Sequence, residues 1–444
     1  MNRQELFCPA RFRGRRRLCS LVRKQCLNLV LLLLMLCSSL QAAWADDCGL
    51  EGADIRILAN DFPALHAVTN ELRQCEPAIK LTVNHTKDYR SLQDAALRVT
   101  PANYNIVMTG NNALAPLLDA QLVRPLDSLV AALGQTLRPE QLVRIDGKIM
   151  AIALLANAQH LFYREDIFNR AGLQPPTTIQ QLLDACQVLQ QQHDMPAPFA
   201  GAWQSGWNLA LEFLNLYLAT GQPLFKADGL RPALHNDAGR QTLNTMQALT
   251  ECMSPEYLTR DINAIQSAWQ AGELAMATLW GSRAAAVLDA SRSTPEVVES
   301  TRFKVSPALG DAAADDAPAA TLWWVGFAIP VNISAAEARD AFKAMLLASR
   351  PAMVRAHQEK AVWLLDGYNP APAAAGIVAS INANAPAYPM HATQHLLHQS
   401  LGAELADFFT GRESADTTLQ DIEANYLTLL RESGYMGASS DQSD

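Results

Sequence analysis

From residue 50 onward the apolar positions switch repeatedly between short runs and helical spacing. DIRILA (54–59) predicts a short strand, and the segment 63–74 carries Leu65, Val68 and Leu72 at helical spacing. IKLTV (79–83) alternates Ile79, Leu81 and Val83, and 91–99 predicts a helix with Leu92, Ala95, Ala96 and Val99 on one face. NIVM (105–108) predicts a third strand, followed by Thr109-Gly110-Asn111-Asn112. Strands alternating with helices imply a parallel sheet with crossovers. Ligands on such sheets bind beyond the carboxyl ends of the strands. That rule points to Asn60-Asp61-Phe62 and Asn111-Asn112 as loops beside a site.

The run IMAIALLA (149–156) reads as a strand or extended connector leading to Asn157. Beyond it the spacing turns mainly helical, over 209–219, 239–253 and 262–271. DAAADDAPAA (311–320) is a solvated loop, LWWVGFAIP (322–330) is strand-like, and helices follow over 335–348, 396–409 and 418–430. The stretch YREDIFNRAGLQPPTTIQQLLDAC (163–186) stops one helix and starts another. Gly172 is placed to cap the first in a left-handed conformation. Pro175-Pro176 holds an extended link, and Thr177 with Gln180 makes a capping-box pattern. Ile179, Leu182, Leu183, Cys186 and Leu189 give the second helix its apolar stripe. No internal repeat is found.

The N-terminus changes what should be counted. Seven arginines and lysines between Arg11 and Lys24 precede an apolar run over 27–40, too short to span a membrane comfortably. Ala43-Trp44-Ala45 then supplies a cleavage pattern, so residues 1–45 read as a secretory signal peptide. The whole chain has 35 Lys+Arg and 44 Asp+Glu; the leader holds eight of the bases and one of the acids, leaving 27 against 43. An acidic exported chain is a poor partner for nucleic acid or an anionic membrane. Nearly 400 residues remain, more than one core organises, so two domains are expected. A tail over 436–444 is expected to be flexible.

Four cysteines outlast the leader, Cys48, Cys75, Cys186 and Cys252, in an oxidising compartment. Three pairings are open on arithmetic, with 48–75 and 186–252 favoured because Cys48 precedes a strand and Cys75 ends the helix after it. There is no C-x-x-C redox motif, and no H-E-x-x-H, G-x-S-x-G, Walker A or G-x-G-x-x-G signature either. No catalytic residue and no cofactor is expected. His391, His395 and His398 fall at i, i+4 and i+7, one helical face that suits a transition metal. With no carboxylate interleaved, a polar face near a cleft is the simpler reading, and no metal site is assigned. The tryptophans are more informative: GAWQSGWN (201–208), LWGSR (279–283) and TLWWVG (321–326) set aromatic faces beside amides and small residues, which suits a sugar ring. Trp269, inside an apolar helical stretch, reads as structural.

Taken in order, these blocks resemble the extracellular solute-binding family of the maltose-binding type. The carriers are DGKIMAIALLANAQHLFYREDIFNRAGLQPPTTIQQLL (146–183), SAWQAGELAMATLWGSRAA (267–285), KVSPALG (304–310) with LWWVGFAIP, and FFTGRESADTTLQDIEANY (408–426). The family often has Gly-Gly where Trp324-Val325-Gly326 stands, and Asn157 replaces an acidic ligand contact of the maltose binders. The resemblance implies an α/β periplasmic-binding-protein fold of type II, with two hinge-linked lobes, each a mostly parallel sheet flanked by helices. The N-lobe would take 48–155 and 326–367, and the C-lobe 156–325 and 368–435. By position it implies ligand contacts from Asn60, Asp61, Asn111, Asn112, Asn157, Trp203, Gln204, Trp280, Trp324, Trp363 and His395. The implied function is capture of a small polar solute, a sugar or oligosaccharide, by a periplasmic monomer that delivers it to an ABC permease of the inner membrane. Two alternatives are a binding protein for a polyamine, whose cleft would carry carboxylates, and a secreted carbohydrate-active enzyme, whose cleft would carry a carboxylate pair. A third is a sensor module.

Overall fold

Strand β1 (Asp54–Ala59) lies between two parallel neighbours, β2 (Lys80–His85) and β3 (Ile106–Gly110). Helices α1 (Pro63–Glu71) and α2 (Tyr89–Arg98) make the crossovers, and α3 (Asn111–Asp119) starts where β3 ends. The computed structural model describes residues 48–435 apart from 77, 193–194 and 311–316. The expected signal peptide and C-terminal tail lie outside them, as does part of the loop expected at 311–320. Asn111 and Asn112, expected in a loop, instead open α3. The face expected of α2 is also rotated. Tyr89, Gln93, Ala96 and Leu97 are buried, while Leu92 and Val99 are 42% and 44% exposed. The Gln93 amide donates to the Met108 carbonyl of β3, and the demand of that buried acceptor outranks the burial of a leucine.

β4 (Leu142–Ile145) returns through Asp146-Gly147, both at positive φ, into β5 (Lys148–Arg164). This is the Asp-Gly hairpin geometry that matches strand twist. β5 is far longer than the run 149–156 suggests, because the apolar run continues through Ala158, Leu161, Phe162 and Tyr163 and is buried at nearly every position. Four short strands follow before the last: β6 (Phe199–Gly201), β7 (Met276–Trp280), β8 (Thr301–Lys304) and β9 (Leu322–Ala328), then β10 (Val362–Trp363). Up to Ala158, β5 pairs with β4, β9 and β10; from Gln159 onward it pairs with β7 and β8. β9 continues to β3 and β7 continues to β6. One strand thus belongs to two sheets, and the two-lobed α/β architecture is built around it. Neighbours are parallel where strands alternate with helices and antiparallel where β5 and β9 enter.

A helical core sits on the second sheet. It packs α4 (Ile179–Gln192), α5 (Trp207–Ala219), α6 (Asp237–Thr250) and, after α7 (Ala335–Ala348), also α8 (Gln394–Phe409) and α9 (Ala415–Glu432). α5 is apolar on every side and buried from Leu209 to Tyr217, as a helix enclosed by others must be. α7 has the bounds its periodicity predicts, with a Ser334–Glu337 capping box. Gly172 does cap its helix at φ 66°. The restart is one residue later than expected: Thr178 Oγ1 accepts from the Gln181 amide N–H, and Gln181 Oε1 accepts from the Thr177 N–H.

Cys48 and Cys75 each take part in a disulfide. Cys186 and Cys252 do not, contrary to the bridge expected between them; they remain free thiols in the second core. Contact with Cys252, then burial, raises the Cys186 thiol pKa, so the thiolate needed to form a bridge is suppressed. Trp203 and Trp363 are also core residues, 1% and 2% exposed. Trp203 packs edge-on to Tyr257, and Trp363 donates its indole N–H to the His357 carbonyl. Neither presents a face to a ligand. Trp269 is buried with its indole N–H on Thr301, as its apolar helix implies.

Candidate functional site

A cavity of about 320 Å³ opens where three helix N-termini meet. Arg90 comes from the first turn of α2, Asn112 from that of α3, and Gly206 and Trp207 from the start of α5. None of these three helices has a side-chain N-cap bond, which leaves first-turn N–H groups without that partner. α8 supplies His395, His398, Gln399 and Gly402, and the loop before it supplies Tyr388. Gly206 holds φ 98°, a conformation reserved for glycine. A Cβ on Gly402 would meet the Gly206 backbone at 3.0 Å, so the α5–α8 approach depends on Gly402 having no side chain.

An aromatic cluster forms one wall. Trp207, 42% exposed, stacks on His398 with ring centres 4.8 Å apart. Trp323 lies 6.1 Å from Trp207, 4.0 Å from Tyr388 and 5.6 Å from Trp280. His398 is fixed at both nitrogens, with Nε2–H donating to the Trp207 carbonyl at 2.9 Å and Nδ1 accepting from Tyr388 at 2.8 Å. Burial lowers the His398 pKa to about 4, so the ring is neutral and keeps that tautomer. Burial likewise lowers the His395 pKa; its Nδ1–H donates to the Ala392 carbonyl, which leaves Nε2 as an acceptor.

Behind the wall runs a buried polar relay. Trp323 donates to Thr321 (3.0 Å), Thr321 to the Asn215 carbonyl oxygen (2.8 Å), and the Asn215 amide to Gln159 (2.6 Å). The Gln159 amide donates to Glu212 at 2.8 Å. Burial pushes the Glu212 pKa up to about 8, against the opposing hydrogen bond from Gln159. The relay ties α5, β5 and β9 together and ends on an aromatic of the wall.

Of the contacts expected from the sequence, Asn112 and His395 line the cavity and the others do not. Asn111 is 1% exposed and fully engaged: its amide donates to the Tyr388 and Leu322 carbonyls and its oxygen accepts from the Trp324 N–H. Asn157 is tied to Ser282. Asp61 accepts from His66 Nε2 at 2.7 Å, and Asn60 accepts from the Asp61 N–H. Gln204 is exposed away from the cavity, with its N–H on the Arg260 carbonyl. Trp280 contributes to the wall through Trp323, and the Trp324 backbone is held by Asn111. The expected histidine face is broken, because α8 begins at Gln394. His391 lies before it, stacked on Phe225. Among the described residues no group of three His, Cys, Asp or Glu is placed to hold a metal.

Arg90, Tyr388 and Gln399 were absent from those expectations. Arg90 carries no local signal, since its site is assembled by α5 and α8 from far along the chain. Trp207 was flagged only within GAWQSGWN, and His398 only by its spacing.

The fold is similar to that of several solved binding proteins. An ABC transporter solute-binding protein from Agrobacterium radiobacter K84, in complex with ribitol, superposes with TM-score 0.70 at 18% identity, over 86% of this chain and 99% of that one. The maltose-bound MalE3 of T. maritima gives 0.69 at 17% identity, over 85% and 100%. A solute-binding protein from Agrobacterium vitis S4 with D-mannitol gives 0.65 at 17%, over 86% and 99%. No curated protein matches by sequence. The model of the bacterial extracellular solute-binding proteins matches residues 59–351, about two thirds of the chain, and the protein belongs to that family.

Proposed function

We propose that the protein captures a sugar or polyol between its lobes in the periplasm, as a monomer, and hands it to an ABC permease without chemical change. The observation that carries this reading is the cavity itself. An exposed tryptophan face, two side-chain amides and a histidine acceptor converge on one small volume, the combination that a hydroxylated carbon skeleton needs. A volume of about 320 Å³ holds about ten waters, which suits one or two sugar units. Ribitol, D-mannitol and maltose in the similar proteins point the same way.

The lobe division near residues 155–156 and 325–326, and export by a cleaved leader over 1–45, are parts of this proposal. Closure follows from contacts made by both lobes at once, because only differential affinity shifts an open–closed equilibrium. Among the described residues the cavity lining has no carboxylate. A polyamine site would need several, and glycoside hydrolysis needs a pair.

A thermal-shift screen of polyols, mono- and disaccharides, polyamines and amino acids tests the reading. A ligand at a hundred times its Kd adds about 2.7 kcal/mol to stability. Stabilisation by polyamines or amino acids, with none by any sugar or polyol derivative, would refute it.

A further inference from the structure

The charge of the cavity carries the functional reading further. Arg90 lines it yet makes no ion pair or hydrogen bond to any described residue, although the other arginines near it in sequence, Arg73 and Arg98, are paired with Glu76 and Asp94. Among the described residues no Asp or Glu lines the cavity to answer that charge. The remaining titratable neighbours are His395, His398 and Tyr388, all of which feel the Arg90 charge and all of which are held neutral at pH 7. The helix N-termini of α2, α3 and α5 add positive potential of the same sign. A neutral polyol leaves this charge to solvent and to the face of the Tyr89 ring, 5.8 Å from the guanidinium, and adds no anion to pair with it. It would also find few of the carboxylate acceptors that hydroxyl donors favour. An Arg fork beside an aromatic face and amides instead matches a carboxylate on a hydroxylated skeleton.

We propose that the ligand is a sugar acid, an aldonate or uronate, whose carboxylate is taken by Arg90 and whose carbon skeleton lies on Trp207. Asn112, Gln399 and His395 Nε2 take its hydroxyls. The assignment rests on the sugar-binding reading above and narrows it.

The test is isothermal titration of the protein with two pairs matched in skeleton and differing in charge, D-gluconate against D-sorbitol and D-glucuronate against D-glucose. At least one acid is expected to bind ten-fold or more tighter than its neutral partner, and to weaken several-fold in 0.5 M salt while any neutral binding is unchanged. R90Q should erase the preference, and R90K should restore part of it; Arg90 is exposed, so both variants should keep the wild-type melting midpoint without ligand. Equal affinity within each pair, or a preference that survives R90Q, overturns the sugar-acid assignment and leaves the sugar reading standing. Silence from all four compounds, with binding of an amine or amino acid, overturns both.

Discussion

Tyr388 donates its phenolic hydrogen to Nδ1 of His398 at 2.8 Å, and the opposite nitrogen of that ring holds the Trp207 carbonyl. Through this pair a loop residue, α8 and the first turn of α5 are locked into one aromatic wall. The lock works only while His398 is neutral, since a second proton on Nδ1 would face the phenolic donor.

Acid should therefore weaken the protein through this ring and through His160, which is fully buried with Nε2 unpartnered. Burial lowers both pKa values to about 4, from the ordinary 6.5. The unfolded chain gains these protons as pH falls below 6.5 while the folded chain does not, so stability is complete above that pH and is lost down to about 4. Each ring accounts for about 3 kcal/mol of the loss. Urea unfolding at pH 7, 5.5 and 4.5 should show the midpoint falling steeply, and a flat profile would contradict the neutral-ring assignment.

Glu212 has the opposite dependence. Its folded pKa of about 8 lies above the ordinary 4.5, so the folded state favours the proton and stability declines as pH rises from 4.5 to 8. Glu212→Gln keeps the acceptor for Gln159 and removes the need to hold a proton. The variant should be more stable than wild type by about 3 kcal/mol at pH 7, with a smaller gain at pH 5. Denaturation curves at both values check this; a destabilised variant at pH 7 would show that the carboxyl group is needed for more than its proton.

The two tryptophans of GAWQSGWN should separate cleanly. Trp203→Ala empties a core position and should cost about 3–5 kcal/mol of stability. Trp207→Ala removes a half-exposed face and should cost little stability but at least ten-fold in ligand affinity, read by titration calorimetry beside the melting curve.

Cys186 and Cys252 should be silent towards a thiol reagent in the native protein and react fully in guanidinium. Fast reaction of either in the native state would contradict their burial.

Much of the fold was legible because its elements are locally determined. Helix α7 has its own capping box and stripe, Gly172 its own stop, and β1 and β3 their own apolar runs. The α2 face was not legible, because Gln93 turns inward for a carbonyl of β3 that lies fifteen residues on. The site was the least legible part. Asn111 and Asn112 are adjacent and chemically identical, yet one is spent on Tyr388, Leu322 and Trp324 while the other faces the cavity. Trp203 and Trp207 differ in the same way. Which of two like residues meets solvent is decided by helix phase and by segments about two hundred residues away, and no short motif encodes that.

The continuity of β5 bears on how the molecule comes apart. Cutting the chain at Ala158 would part β9 from both of its neighbours, β3 and the first part of β5, while β7 and β8 would keep only residues 159–164 of β5. Neither half is therefore a candidate for separate expression, and heating should give a single calorimetric transition in place of one per lobe. A hinged protein is often pictured as two bodies on a flexible joint. Here the element that crosses the joint is also a structural beam of both bodies, so bending is permitted while independent melting is not.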